Sequence, residues 1–169
     1  VDYLKFNTRI LKTDFITYDA LTIEDIMVVY VPLVNINNFI FERFGSFEYK
    51  HSATILLNRL LTLEKNSNLL KMYINIEDSH FEIVVVENNK LKFFNRFEYN
   101  TKEDFIYYLL FTAEQLQLNP EEFPLVLMGS VDENDALYQI AYKYVRHVSL
   151  LPNESMLYSN NASSKHFTL

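Results

Sequence analysis

Leu70, Met72, Ile74 and Ile76 alternate with Lys71, Tyr73, Asn75 and Glu77. A period of two sends one set to each side of a strand, so this stretch is expected to turn one face to a core. A turn at Asp78-Ser79 leads into Phe81-Glu82-Ile83-Val84-Val85-Val86, and then into Asn88-Asn89. Asn tolerates positive φ, which a two-residue hairpin turn requires. Leu91, Phe93, Asn95, Phe97 and Tyr99 line one side of a third strand. Turns this short can only join antiparallel neighbours.

The spacing then changes. Thr101 is placed to cap a helix running to about Leu118, with Glu103 and Asp104 in its first turn, where the helix dipole favours anions. Its buried face is expected to carry Phe105, Leu109, Thr112 or Ala113, and Leu116. Pro124-Leu125-Val126-Leu127-Met128 is a short apolar strand ending at Gly129. A helix from about Glu133 to Tyr142 and a strand from Tyr144 to Leu151 follow. The order β-β-β-α-β-α-β predicts an α/β fold with a mixed sheet and helices on its faces.

The first half is shorter in pattern. Asp14 to Asp19 and Ile26 to Val31 read as strands, the second stopped by Pro32. Apolar residues from Leu33 to Phe44 recur at helical spacing, and Gly45 sits where a C-cap belongs. Phe47-Glu48-Tyr49 is a brief extended piece before a helix from about Ser52 to Glu64, with Ala53, Leu56, Leu57 and Leu60 on its apolar face. Lys65-Asn66-Ser67-Asn68 is a polar joint. The expected organisation is a first lobe over 1–66, a second over 67–151, and an Asn/Ser-rich tail over 152–169 that is partly ordered through Met156-Leu157-Tyr158 and His166-Phe167.

Composition limits function. Apolar residues make up 49% of the 169, enough for a core, so a disordered chain is excluded. The net charge is −7 and no basic run occurs, which disfavours nucleic acid and anionic membranes as partners. No apolar run is long enough to cross a bilayer. With no cysteine there is no disulfide or thiolate chemistry, which fits a cytoplasmic location. Only two glycines, Gly45 and Gly129, are present, where average usage gives roughly a dozen. Glycine lets a backbone approach a phosphate, so few positions here can do that.

Several strings in this order resemble the actin-like ATPase superfamily, whose lobes have an RNase H-like fold. They are Tyr73-Ile74-Asn75-Ile76-Glu77-Asp78, the hairpin through Asn88-Asn89-Lys90-Leu91, Tyr99-Asn100-Thr101-Lys102-Glu103-Asp104-Phe105, and Leu127-Met128-Gly129-Ser130. Within the superfamily the chain is similar to bacterial pilus-assembly and cell-division actin homologues, and most of all to an uncharacterised bacterial family of that fold. The likeness covers Leu69 to Leu151 well. It covers residues 14–64 more weakly, as the closing part of a first lobe whose opening hairpins are missing.

The resemblance implies that Asn75, Ile76 and Glu77 stand where nucleotide-binding members carry Asp-x-Gly, the Asp ordering a metal or its water and the Gly admitting phosphate. Asn75 lacks that charge, and Glu77 brings bulk and a carboxylate to the turn. Asn100-Thr101 replaces a Gly-Gly pair ahead of the helix. Gly129-Ser130 keeps half of the Gly-Gly expected near the base, followed by acidic Asp132 and Glu133. The expectation is a binding or scaffold protein with a degenerate nucleotide site and no bound cofactor, working through a protein partner, a homodimer, or a peptide held between lobes. The alternative is a switch that binds ATP with magnesium through Gly129 and Ser130.

Other constellations are weaker. Glu77-Asp78-Ser79-His80 reads as a solvated turn rather than a metal site. A nuclease of RNase H-like fold would draw two-metal ligands from Glu77, Glu103 or Glu114, and Asp132, but no basic groove accompanies them. His51, His80, His147 and His166 are scattered. Tyr107 and Tyr108 cannot both face inward on one helix, which suggests a partner surface.

Overall fold

Asn88 and Asn89 adopt φ of 52° and 62°, the left-handed pair that a tight hairpin needs. They join β4 (His80–Glu87) to β5 (Lys90–Glu98) in the computed structural model, which describes residues 10–11, 14–23 and 25–151. The tail segments Met156-Leu157-Tyr158 and His166-Phe167 lie outside the described residues. The chain divides into two units, one up to Leu63 and one from Glu64.

In the second unit β3 (Lys71–Ile76) sits at the centre of a five-stranded sheet ordered β5-β4-β3-β6-β7, with β6 at Pro124–Gly129 and β7 at His147–Leu150. β3 is antiparallel to β4, with Asn75 opposite Glu82, and parallel to β6, with Ile76 opposite Gly129. The helices α3 (Lys102–Gln115) and α4 (Ala136–Tyr144) provide the crossovers. Met72, Ile74 and Ile76 of β3 pack with Phe81, Ile83 and Val85 of β4 against Phe105 and Leu109 of α3 and Ala141 of α4. Each such side chain, fully buried, contributes roughly 1.5–3 kcal/mol.

The expectation that only one face of β3 is buried needs correction. Tyr73 and Asn75, on the other face, are 2% exposed. These polar groups are tolerated because they find partners. The Tyr73 hydroxyl donates to Glu64 Oε1 at 2.6 Å, and Lys71 Nζ reaches the same oxygen at 2.8 Å. Burial and this carboxylate together push the Tyr73 hydroxyl pKa up. Glu64 resists charging through burial, but its bonds from Lys71, Tyr73 and Ser67 hold its pKa below the usual value. This network joins Glu64 to β3 and explains why the second unit begins there.

Element boundaries also shift: the last helix runs to Tyr144, so the strand expected from Tyr144 begins at His147. α3 stops at Gln115, not Leu118, because Gln117 turns to φ 57° and Leu118 N–H returns to Ala113 O at 2.8 Å. α4 starts at Ala136, not Glu133, because Asp135 caps it by accepting Leu137 N–H at 3.0 Å. Ahead of it, Asp132 folds residues 132–135 into a turn by accepting Asn134 N–H at 2.8 Å.

The first unit holds an antiparallel pair, β1 (Thr17–Ala20) and β2 (Met27–Tyr30), and two helices, α1 (Val34–Phe44) and α2 (Ser52–Leu63). β1 begins three residues after Asp14, whose carboxylate accepts Leu11 N–H at 2.8 Å. Gly45 closes α1 with φ 82°, its N–H bonded to Phe41 O. No residue of α1 is buried, whereas α2 buries Ala53, Leu56, Leu57, Leu60 and Leu61. Asp19 of β1 is pinned to the start of α2, accepting His51 N–H at 2.7 Å and the Thr54 hydroxyl at 2.9 Å. Tyr30 of β2 donates to the same carboxylate at 3.2 Å, and burial with this charge pushes its pKa up to about 12.

Candidate functional site

Parallel strands β3 and β6 end side by side, and β5 runs in the direction of β3 because two antiparallel steps separate them. The C-terminal ends of β3, β5 and β6 therefore share one edge, and α3 and α4 begin there. In α/β sheets that edge is where ligands bind, aided by the positive ends of helix dipoles. The four residues singled out from sequence, Asn75, Glu77, Gly129 and Ser130, come together at this edge. Ile76 stands opposite Gly129, and Ser130 N–H donates to Ile76 O at 2.7 Å.

Asn75 is buried, and its Nδ2 donates to Glu82 Oε2 at 3.1 Å. Its Oδ1 has no hydrogen-bond donor among the described residues. Glu82, only 6% exposed, is the residue that sequence reading missed. It sits in the run Phe81 to Val86 as its one charged residue. The signal was available in the hairpin register, which places 82 across from 75. The Glu82 carboxylate thus stands one strand away from position 75, bonded to the Asn75 amide.

Gly129 has φ 87°, and a Cβ there would overlap the Ile76 carbonyl oxygen and lie 2.8 Å from Asn75 Oδ1. Its missing side chain admits the neighbouring strand. The turn after β3 is closed on itself: Glu77 N–H donates to His80 O at 2.9 Å, and Glu77 O accepts the Tyr99 hydroxyl at 2.8 Å. Burial raises the pKa of Tyr99, and the carboxylates of Asp135, Asp78 and Glu77 raise it further. Those three charges all act on the Tyr99 hydroxyl beside the turn.

Both helix N-termini are capped by side chains of the chain itself. Asn100 and Thr101 donate their N–H groups to Asp104 Oδ2 at 3.1 and 3.0 Å, while Thr101 Oγ1 accepts Asp104 N–H. These bonds hold the Asp104 carboxyl below the usual carboxylate range. Asp135 does the same service for α4. Of the carboxylates proposed for a two-metal centre, Glu114 lies in the last turn of α3, at the opposite end from Glu103. Among the described residues no three carboxylate or imidazole groups are arranged to hold a metal ion. Among them, too, no helix is long and apolar enough to cross a membrane.

The profile of the family described as "Protein of unknown function (DUF3822)" matches residues 1–148. The chain belongs to this family. None of the curated proteins matches it. Among solved structures, the chain is similar to a Bacteroides thetaiotaomicron VPI-5482 protein described as having an actin-like ATPase fold and unknown function. The TM-score is 0.79 at 23% identity, over 92% of this chain and 62% of that one. At that identity the likeness shows the fold, an α/β actin-like ATPase fold. The DUF3822 chain spans about 62% of that neighbour's length.

Proposed function

We propose that this chain is a non-catalytic binding or scaffold module with a degenerate nucleotide site, acting through protein contacts in the cytoplasm. The observation that carries the reading is the occupation of the sheet edge by the chain's own groups. The Asn100 and Thr101 amides ahead of α3 are bonded to Asp104, the Leu137 amide of α4 is bonded to Asp135, and Glu77 N–H is bonded to His80 O. A polyphosphate needs free amides and positive potential, and would meet Glu77, Asp78 and Asp135 in their place. Like charges a few ångströms apart repel by about 1 kcal/mol in water and more where water is excluded. The resemblance to pilus-assembly and division proteins supports a role in assembly by analogy of fold alone.

Gly129 and Ser130 favour a second reading, an ATP-binding switch, because that corner keeps a glycine. The strand contact at Gly129 accounts for the glycine without a ligand. Thermal denaturation of the full-length protein with increasing ATP or ADP and Mg²⁺ separates the two. The scaffold reading expects no change in Tm. A saturable rise overturns it, since a ligand that binds only the folded state must stabilise it.

A further inference from the structure

We propose that an exposed row of side chains on α3, Glu103, Tyr107, Phe111 and Glu114, is a docking surface for a basic amphipathic helix of a partner protein. This rests on the protein-contact reading above and gives it a surface and a class of partner.

Positions 103, 107, 111 and 114 are spaced by four, four and three residues, so their side chains form one row along α3. All four are exposed, Tyr107 at 61% and Phe111 at 43%, whereas Phe105, Leu109, Thr112 and Ala113 of the same helix are buried. The two rings stack, with centroids 6.0 Å apart and planes at 15°. Tyr107 is also held from beside. Its ring meets Tyr108 edge-on at 5.3 Å, and Tyr108 stacks in turn on Phe97 of β5 at 4.8 Å. The row is thus anchored to the sheet through a chain of rings. Aromatic groups fixed in this way lose little freedom on binding, which suits them to anchor an interface.

The charges at the two ends decide what can lie there. Glu103 and Glu114 are eleven residues apart (114 − 103), about 17 Å along the helix axis, with the rings between them. Lys102 approaches Glu103 only to 4.0 Å in an exposed pair, and Glu114 has no ion-pair partner among the described residues. Two copies cannot pair through this row without placing like charges together. Antiparallel pairing brings the Glu103 end of one to the Glu114 end of the other, and parallel pairing sets each carboxylate against its own kind. Anionic lipid and nucleic acid are repelled by the same carboxylates and by the net charge of −7. Charge complementarity leaves a cationic polypeptide. A helix laid along α3 meets both carboxylates if it carries basic residues eleven positions apart, with apolar residues between them to cover the rings. Arginine suits the ends better than lysine, because its planar guanidinium can bond a carboxylate and stack on an aromatic face.

The test uses a fluorescein-labelled helical peptide with two arginines at that spacing and leucines between them. Fluorescence anisotropy with the full chain in about 150 mM salt should show saturable binding at about 10–50 µM, the weak range of a contact this small. A peptide of identical composition with its arginines on adjacent turns reaches only one carboxylate and should bind about fivefold more weakly. Tyr107→Ala combined with Phe111→Ala should weaken the first peptide at least about tenfold. Glu103→Lys combined with Glu114→Lys should abolish its binding and create binding of the same peptide with glutamates in place of its arginines. That exchange also shows that the variant is folded. Absence of saturable binding below about 1 mM overturns the proposal. So does equal affinity for the two arginine peptides, or indifference to the charge reversal, since either would mark attraction by net charge alone. A rise in Tm with ATP would overturn the scaffold reading and leave peptide binding as it is, so the two fail separately.

Discussion

Replacing Asn75 with Asp keeps the shape of the side chain and changes one contact: the donor facing Glu82 Oε2 at 3.1 Å becomes an acceptor. Asn75 and Glu82 are 2% and 6% exposed, so water does little to screen them. At an effective dielectric constant of about 20, two charges about 3 Å apart repel by roughly 5 kcal/mol. A less costly state protonates one carboxyl, which then donates to the other. Keeping a proton at pH 7 on a carboxyl whose ordinary value is near 4 costs about 4 kcal/mol. Asn75→Asp should therefore lose about 4 kcal/mol of folding stability at pH 7, a large part of a typical total. The proton-sharing pair of the variant titrates above its unfolded value, so its contribution is complete in acid and is lost as pH rises. Urea denaturation at pH 7.5 and 5.0 should show the deficit shrinking by about 3 kcal/mol at the lower pH. Adding Glu82→Gln should return most of the loss at pH 7.5, a favourable coupling in the double-mutant cycle. A variant as stable as the parent at pH 7.5, or a deficit equal at both pH values, would refute the reasoning. A carboxylate at position 75 is consequently opposed by Glu82.

Two further outcomes follow from other contacts. Gly129→Ala should cost about 3 kcal/mol, because its Cβ meets the Ile76 backbone at positive φ, while Gly45→Ala, with open space around it, should cost about 1 kcal/mol. Calorimetry that found the two variants equally stable would contradict the strand contact. Burial works against the charge of Asp19, but bonds from His51 N–H, Thr54 and Tyr30 prevail and hold its pKa below the usual value. Its contribution is present above the ordinary carboxylate value and lost as pH falls through the lowered one. Asp19→Asn, discounted for partial exposure, should cost about 1 kcal/mol at pH 7, and the gap to the parent should close in urea titrations between pH 5 and pH 3.

What could be read from the sequence was what local chemistry decides. Asn88-Asn89 and Thr101 turned out as expected because a positive φ and a helix cap are set by one or two residues. The start of α4 was misplaced because Asp132 and Asp135 are both good cap residues, and only packing chooses between them. The second face of β3 was misjudged because Tyr73 and Asn75 look solvent-facing until Glu64 and Glu82 are brought to them. The candidate site was legible as a set of positions and illegible as a set of contacts. Asp135 and Glu82 reach it through helix and strand register, which no short motif records.

The two kinds of glycine position at this edge bear on function differently. At Glu77 and Asn100 the chain carries side chains, and the backbone there is bonded within the protein, so nothing in the fold demands glycine. At Gly129 the neighbouring strand leaves no room for a Cβ. Glycine is thus present where the fold needs it and absent where only a phosphate would. A site kept for nucleotide would show the reverse bias, with glycine held in the turns that face the ligand. The pattern across these three positions supports a sheet edge shaped by packing, and the strand contact alone accounts for Gly129.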